Sequence, residues 1–391
     1  MNRFFLCCCL LVAGALYPQV NPNERYRQGG QDTLRIYSNS AGTPINLIDS
    51  GKSIETYWKD RDRFKKGSGY KIHKRWEYYW SHLANSRGIL PTASQYWESW
   101  KTKASLSGKD PNPTADWSSI GPGDVGVFSG RLPGTGRLNA VAVDPNNENI
   151  WYAGAPAGGI WKSTNAGQSW TNLFDDFPQI GVSGIAIDPN DSNTIYITTG
   201  DDDAADSYSI GVFKSTDGGQ TWNETGLNQT NTGVNFLMNE IVIDPANSDV
   251  LWVGTSDGLF KSEDAGVTWE NKRTGYISDF KLKPGDPNTV YAVDNEHIGG
   301  VGSFVIYYKT TNGSDFSRME SDILPTSAGR VVLGVTPANP DLLYILAAGT
   351  FDDNRFAYEG FYRSVDSGDS FTRSPNSENL MESSQAWFDL A

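Results

Sequence analysis

The side chains best suited to bind a metal or a ligand lie in three polar stretches between residues 200 and 360. The densest stretch is an acidic loop with one tyrosine: Asp201, Asp202, Asp203, Asp206 and Tyr208. Carboxylates in a flexible loop supply the hard oxygen ligands that Ca²⁺ prefers. A Ca²⁺ ion held by Asp201, Asp203 and Asp206 is therefore one interpretation. A solvated acidic loop is the alternative, because the spacing matches no strict calcium motif.

The other two stretches carry more isolated polar groups. His297 follows Asp294 and Glu296 and can serve as a base or a metal ligand, or it is simply a surface histidine. The third stretch contains Asp352, Asp353, Arg355, Tyr358 and Glu359. Such side chains can contact a sugar or a carboxylate, and long loops are the usual carriers of function. We therefore predict that all three stretches contribute to ligand binding.

A repeated ten-residue motif sets the spacing of these loops. Phe213–Trp222 reads FKSTDGGQTW, and full copies occur at Trp161–Trp170, Phe260–Trp269 and Tyr362–Phe371. Tyr308–Phe316 is a copy one residue short. The final aromatic residues of the five copies are 52, 47, 47 and 55 residues apart. A period near 50 residues indicates a repeat architecture.

Each copy of the motif predicts a strand, a tight turn and a second strand. The side chains of Ser215 and Asp217 can bind turn amides, and Gly219 permits a left-handed backbone. Trp222 offers apolar surface to a neighbouring unit. A calcium loop is the rival interpretation, but only one carboxylate in each copy fits such a loop, and an asparagine replaces it in the first. The residues predicted to be structural are Ser163, Asn165, Gly167, Trp170, Ser215, Asp217, Gly219, Trp222, Ser262, Asp264, Gly266, Trp269, Ser364, Asp366, Gly368 and Phe371.

These motifs resemble the Asp boxes, or BNR repeats, of sialidases, sortilin-type Vps10 domains, xyloglucan-cleaving hydrolases and photosystem assembly factors. The resemblance covers roughly Trp117 to Ala391. It implies that each box is the turn between the third and fourth strands of a β-propeller blade, on the outer rim. Because one fold hosts many activities, the resemblance is specific for the fold and much less so for the function.

The segments between the boxes complete the predicted blades. Alternating strands that end near Asp-Pro, such as Leu138–Pro145, precede a second strand, a loop, a third strand and the box. The pattern predicts an all-β propeller with five four-stranded blades, in which the polar loops lie on the side opposite the boxes. Asp116–Pro122 resembles a lone outer strand, and Ser383–Ala391 resembles the start of a further repeat. We therefore expect an incomplete ring from a longer protein.

The N-terminal part of the protein has a different composition. Residues 1–16 read MNRFFLCCCLLVAGAL, which predicts a secretory signal peptide and hence a secreted or cell-surface protein. Cys7, Cys8 and Cys9 are the only cysteines, so the cleaved protein would form no disulfide. We expect an extended lead-in over 17–50, a helical basic and aromatic segment over 51–100, a linker over 101–115 and the propeller over 116–391.

These two parts of the sequence also carry opposite charge. Residues 1–115 contain 17 Lys+Arg and 9 Asp+Glu, whereas the remainder contains 15 and 37. The basic, aromatic segment can bind nucleic acid or a membrane surface, or it can cap the acidic propeller. The acidity of the propeller argues against nucleic acid and favours the cap. Beyond the leader, no segment has the length and hydropathy expected of a transmembrane helix.

No complete catalytic constellation is visible, and we assign no catalytic residue. A sialidase would need three converging arginines, and Gly130–Pro133 lacks the aromatic residue of the sialidase motif. Xyloglucan-type hydrolases carry an aspartate before a glycine pair in the first blade, where this protein has Ala157. We therefore expect a propeller that binds protein or glycan through its loop-rich side. A glycoside hydrolase completed by further blades and a surface or secretion-associated scaffold are the alternatives.

Overall fold

The computed structural model describes residues 59–60, 62–63, 70, 74, 77–78, 81–91, 93–106, 137–174, 177, 181–202, 207, 209–228, 236–295, 303–349 and 358–375. Helix α1 spans Ala93–Leu106. Most of the described residues after this helix form short antiparallel strands in four-stranded sheets.

Five consecutive sheets form the blades, each named by its order in the sequence. Blade 1 contains β1 (Ala140–Asp144), β2 (Asn147–Ala155), β3 (Gly159–Ser163) and β4 (Thr171–Asn172). Blade 2 contains β5 (Val182–Asp188), β6 (Asp191–Thr199), β7 (Gly211–Ser215) and β8 (Asn223–Asn228). Blade 3 contains β9 (Met238–Asp244), β10 (Asn247–Thr255), β11 (Gly258–Ser262) and β12 (Glu270–Thr274).

Blades 4 and 5 repeat this order, with one addition in blade 4. Blade 4 contains β13 (Ile277–Lys283), β14 (Asp286–Asp294), β16 (Ile306–Thr310) and β17 (Ser317–Arg318). Beside it, β15 (Ser303–Phe304) pairs with β18 (Ser327–Ala328). Blade 5 contains β19 (Arg330–Val335), β20 (Leu343–Ala348), β21 (Tyr358–Ser364) and β22 (Thr372–Arg373). The predicted all-β architecture of four-stranded propeller blades is confirmed.

The hydrophobic core lies between successive blades. The first strands of neighbouring blades pack side by side in the order β1, β5, β9, β13, β19. Aromatic residues on the second strands are fully buried in blades 1 to 4: Tyr152, Tyr196, Trp252 and Tyr291. Because blades 2, 3 and 4 bury side chains on both faces, a blade is stabilised mainly by the blades beside it, as in other repeat proteins.

The Asp-Pro turns link neighbouring blades on one side of the sheets. The carboxylate of Asp144 accepts from its own turn, at Asn146 N (2.9 Å), and from Ser192 Oγ in blade 2 (2.7 Å). Asp188 likewise accepts from Ser248 Oγ in blade 3 at 2.6 Å. The aspartate therefore closes its own turn and binds the next blade.

The boxes close their turns through local hydrogen bonds. In blade 2, Ser215 Oγ accepts from Gly219 N (2.8 Å) and donates to Asp217 Oδ1 (2.8 Å). Asp217 also accepts from Thr221 N at 2.9 Å. One turn residue is left-handed in all five boxes: Ala166, Gly218, Ala265, Gly313 and Ser367 have φ of 52°, 71°, 56°, 70° and 58°.

Helix α1 packs its tryptophans on the propeller. Trp97 is buried against blades 1 and 2, and its Nε1 donates to Glu224. Its ring stacks on Trp100 with centroids 5.0 Å apart and meets Phe177 at 5.8 Å. The helix ends at Leu106, six residues inside the stretch that the sequence assigned to a linker. Trp97 and Trp100 thus attach this helix to blades 1 and 2, and the cap predicted from the aromatic and basic residues before it stays a prediction.

Several sequence predictions concern segments that the structure does not describe. The leader at 1–16, the lead-in at 17–50 and the strands expected at Asp116–Pro122 and Ser383–Ala391 lie outside the described residues. Among the helices that are described, none has the length and apolar character needed to cross a membrane.

Candidate functional site

The loops on one side of the blades form the candidate site. In every blade the turn between the first and second strands and the box lie at one end of the strands, so the connections between second and third strands lie at the other. We call this second side the loop face. It carries the β2–β3, β6–β7 and β10–β11 connections, and it is where the sequence placed its ligand-binding residues.

Asp201 joins blades 1 and 2 at the loop face. Its carboxylate is fully buried; Oδ2 lies 2.6 Å from Arg137 Nη2, and Oδ1 accepts from Asn139 Nδ2 at 3.0 Å. A charged pair of this kind, supported by a further hydrogen bond, fixes both partners more firmly than a neutral contact. Asp201 therefore holds the partly exposed Arg137 in place beneath the loop face.

Tyr276 binds two further carboxylates, those of Asp202 and Asp294. Its hydroxyl donates to Asp202 Oδ1 (3.0 Å) in blade 2, and its main-chain N–H donates to Asp294 Oδ1 (3.0 Å) in blade 4. Gly275 makes room for this arrangement, since a Cβ there would lie 2.2 Å from Asp294 Oδ2. Carboxylates from two non-adjacent blades are thus bound to opposite ends of one tyrosine.

The structure brings together part of the predicted set. Asp202 and Asp294 both bind Tyr276, and Asp201, the neighbour of Asp202 in the sequence, binds Arg137. Tyr358 and Glu359 lie on β21 of blade 5. The predicted residues that fall outside the described ranges are Asp203, Asp206, Tyr208, Glu296, His297, Asp352, Asp353 and Arg355.

The calcium prediction depends on two of those residues. Within the described ranges, no three His, Cys, Asp or Glu side chains are grouped as a metal site. Asp201 is bound by Arg137 and Asn139, so its carboxylate serves an ion pair with the protein. A Ca²⁺ site that includes Asp203 and Asp206 stays a prediction.

Three residues of the cluster were not singled out as binding residues from the sequence. Arg137, Asn139 and Tyr276 all lie immediately before or at the start of a blade's first strand. The repeat itself marks the position of Asn139. Asn139 in blade 1 and Asn239 in blade 3 each lie six residues before the proline of an Asp-Pro turn. The buried Oδ1 atoms of both asparagines face no donor from the described residues.

The shorter loops differ in their chemistry. In blade 1, the carbonyl of Gly158 accepts from Trp161 Nε1 (2.7 Å) and Asn172 Nδ2 (3.2 Å), so the β2–β3 connection closes on itself. That connection, Ala155–Gly159, carries no carboxylate. In blade 3 the corresponding turn presents Asp257, and partial burial raises the pKa of its carboxyl.

A second polar cluster joins the first strands of blades 3 to 5. Lys281 Nζ lies 2.7 Å from both Glu240 Oε2 and Asp279 Oδ1, and Asp279 Oδ2 accepts from Leu333 N. Burial, opposed by Lys281, raises the pKa of Glu240. Burial alone would lower the pKa of Lys281, but the two carboxylates reverse the direction and raise it. The cluster therefore joins three blades, because an ion pair links blades 3 and 4 and a main-chain hydrogen bond links blade 5 to Asp279.

Comparison with known proteins gives partial matches of two kinds. The family described as "Photosynthesis system II assembly factor YCF48" matches residues 203–382. A xyloglucanase of Paenibacillus sp is 27% identical over 158 residues, which are 38% of this chain and 14% of that enzyme. A xyloglucanase of Hypocrea jecorina is 30% identical over 138 residues, which are 32% of this chain and 16% of that enzyme.

One solved structure is also similar to this chain. The Niastella koreensis GH74 enzyme is 23% identical, with a TM-score of 0.49 over 63% of this chain and 38% of that one. The protein therefore spans a minor part of the xyloglucanases it matches. The family match agrees with the BNR-type propeller expected from the boxes, and none of these matches is a sortilin-type domain.

Proposed function

We propose that the loop face binds a β-linked polysaccharide of the xyloglucan class. The observation that carries the proposal is the ordered cluster in which Tyr276 joins Asp202 to Asp294 beside the Arg137–Asp201 pair. Sugar hydroxyls both donate and accept hydrogen bonds, so fixed carboxylates and a guanidinium suit them. The similarity to two xyloglucanases supports glycan over protein as the ligand.

Binding is tested by calorimetric titration with xyloglucan oligosaccharides, using dextran oligosaccharides as the control ligand. The variant Tyr276→Phe removes the hydroxyl that donates to Asp202 and keeps the ring. This hydrogen bond fixes the charged carboxylate of Asp202 in the cluster. We expect its loss to weaken xyloglucan binding by roughly tenfold. The matched control is Asp249→Asn, an exposed carboxylate at the opposite end of blade 3. Equal binding of dextran and xyloglucan would contradict the proposal.

Hydrolysis of the same polysaccharide is the second candidate function. Asp202 and Asp294 are favoured for it, because two carboxyl groups flanking one bond are what glycoside hydrolysis needs. Release of reducing ends from xyloglucan, abolished in both Asp202→Asn and Asp294→Asn, would assign this activity. Binding without release would leave the loop face as a recognition surface.

A protein or peptide ligand is the outcome that would replace the glycan. The carboxylates of the cluster would then pair with basic side chains, and binding would weaken steeply with added salt. Neutral oligosaccharides would show little dependence on salt. A salt series on the same titration therefore distinguishes the two classes of ligand.

A further inference from the structure

The blade 4 box contains the one Asn-Gly step in the sequence, Asn312-Gly313. An asparagine followed by glycine is especially prone to spontaneous deamidation, because glycine has no side chain to hinder attack by its main-chain nitrogen. The step lies in the turn of the box, where Asn312 is exposed to water. Asn312 is therefore a candidate site of covalent modification, and the groups around it in the fold decide whether it reacts.

Deamidation at this position needs no reagent other than water. The main-chain nitrogen of Gly313 attacks Cγ of Asn312 and closes a cyclic imide. The bond from Cγ to Nδ2 breaks, and Nδ2 leaves as ammonia with the proton from the Gly313 N–H. Water then opens the ring at one of its two carbonyl carbons. Opening at the main-chain carbonyl gives isoaspartate, in which the main chain runs through the side-chain carbon, and opening at the side-chain carbonyl gives aspartate.

The folded box engages both reacting groups in hydrogen bonds. The main-chain N–H of Gly313 donates to the carbonyl of Asn288 at 2.8 Å. The side-chain Oδ1 of Asn312 accepts from the hydroxyl of Thr310 at 2.9 Å and from the main-chain N–H of Ser314 at 3.0 Å. The nitrogen must therefore leave Asn288, and the carboxamide must leave its donors, before the two can meet.

Asp315 holds the same carboxamide on both of its polar atoms. Its main-chain N–H donates to Asn312 Oδ1 at 2.8 Å, and its carboxylate accepts from Asn312 Nδ2 at 2.7 Å. The second contact depends on the amide, because an ionised carboxylate can only accept hydrogen bonds. An aspartate at position 312 would thus replace a hydrogen bond with the repulsion of two like charges.

The other boxes differ from blade 4 at this contact. In blades 2, 3 and 5, the second carboxylate oxygen of the box aspartate accepts from a hydroxyl. In blade 1, Asn165 Nδ2 donates to the hydroxyl of Ser169 at 2.8 Å. A hydroxyl can both donate and accept, so it suits an asparagine or an aspartate. Only in the blade 4 box, among the described boxes, does a carboxylate take that place.

We propose that Asn312 is a deamidation site that the folded blade 4 box protects and that unfolding exposes. In the folded protein the nitrogen and the carboxamide are bound to other groups, so the reaction is slow. In the unfolded chain both are released, and the reaction gives aspartate or isoaspartate. Aspartate meets the carboxylate of Asp315, and isoaspartate lengthens the main chain of a tight turn. The box therefore closes less well after the reaction, which records unfolding of blade 4 as a covalent change.

Peptide mapping by mass spectrometry tests the protection. The full-length protein is incubated in mildly alkaline buffer with and without urea, and the replacement of NH₂ by OH raises the mass of the peptide that contains Asn312. Chromatography separates the aspartate and isoaspartate forms. We expect the reaction to be at least about tenfold slower in the folded protein, because several hydrogen bonds must break before attack. Equal rates with and without urea, or no reaction in urea, would overturn the proposal.

Two variants separate the role of the box from that of the glycine. Thr310→Ala removes one donor to Asn312 Oδ1 and should speed the reaction in the folded protein but not in urea. Thr310→Ser, the matched control, keeps the hydroxyl and should react like the parent. Gly313→Ala should suppress the reaction in urea, since its methyl group hinders attack. Circular dichroism confirms that each variant is folded, and a Thr310→Ala protein as protected as the parent would contradict the role given to the box.

The consequence of the reaction is tested by making the same substitution in two boxes. Asn312→Asp should lower the melting temperature at neutral pH, whereas Asn165→Asp should leave it nearly unchanged, because the hydroxyl of Ser169 can donate to the new carboxylate. Adding Asp315→Asn to Asn312→Asp removes the like charge and should restore much of the loss. Equal melting temperatures for Asn312→Asp and the parent, or no recovery with Asp315→Asn, would show that Asp315 does not disfavour the product.

Discussion

Two adjacent glycines in the blade 2 box have different steric requirements. Gly218 and Gly219 have φ of 71° and 92°. Alanine already occupies the first position in blades 1 and 3, as Ala166 and Ala265, whereas a Cβ on Gly219 would lie 2.7 Å from Leu173 Cδ1. We predict that Gly219→Ala lowers the free energy of unfolding by about 1–3 kcal/mol, the usual cost of such strain.

Gly218→Ala is the matched control for that substitution. Its Cβ would lie 3.0 Å from Lys162 Nζ, the far end of a long side chain, and 3.6 Å from Asn193 Oδ1, so the cost should stay near the roughly 1 kcal/mol of a left-handed alanine. Urea denaturation of both variants measures the difference. Equal losses would show that the left-handed turn alone, and not the contact with Leu173, determines the choice of glycine.

Acid should weaken the boxes through their aspartates. The pKa of Asp217 is lowered to about 2, mainly by a hydrogen bond from the Thr221 hydroxyl. The pKa of Asp366 is also lowered to about 2, mainly by a hydrogen bond from the Ser370 hydroxyl. The unfolded value is roughly 3.9. A folded pKa below the unfolded one contributes stability that is present above about pH 4 and is lost as the pH falls toward 2.

Asp217→Asn and Asp366→Asn should reduce this loss of stability between pH 4 and pH 2. Asparagine is compatible with the turn, since Asn165 Oδ1 accepts from Ser169 N at 2.9 Å in blade 1. The melting temperatures of the double variant and the parent, followed from pH 5 to pH 2, should converge at low pH. An unchanged slope in the double variant would exclude these two carboxylates as the source.

At the scale of elements, the docking of α1 depends on Trp97. Its side chain is buried among Phe177, Phe213 and Trp100 and is hydrogen-bonded to Glu224. We predict that Trp97→Ala lowers stability by about 3 kcal/mol, as for large aromatic residues removed from a core. Limited proteolysis should then cleave within α1 before the blades.

The matched control for α1 is Trp100→Ala. Trp100 is only partly buried, so its removal should cost less and leave the helix protected from protease. Early cleavage in both variants would mean that the stacked pair acts as a unit. Unchanged cleavage in Trp97→Ala would show that other contacts hold the helix.

The elements also show what the sequence can and cannot specify. The boxes were predictable because their hydrogen bonds join residues two to four positions apart, such as Ser215 and Asp217. The Asp202–Tyr276 bond spans 74 positions and depends on how three blades are arranged, which no local pattern records. The end of α1 was misplaced for a similar reason: the Lys- and Ser-rich residues after 100 continue a helix that the packing of Trp97 and Trp100 stabilises.

At the scale of the whole molecule, stability should follow the number of neighbours that each blade has. Blades 2, 3 and 4 pack on both faces, whereas blade 1 exposes Val141 and blade 5 leaves Tyr344 partly exposed. In a linear array, a repeat with one interface opens more readily than a repeat with two. We predict faster amide exchange in β1 and β20 than in β9 and β10, measured by mass spectrometry at low protein concentration.

The comparison has an internal control. Blade 3 packs against a neighbour on each face, so β9 and β10 should keep the slow exchange of a repeat with two interfaces. Uniform protection across all five blades at low concentration would instead show that the propeller opens as one cooperative unit, in which a missing neighbour has no local effect.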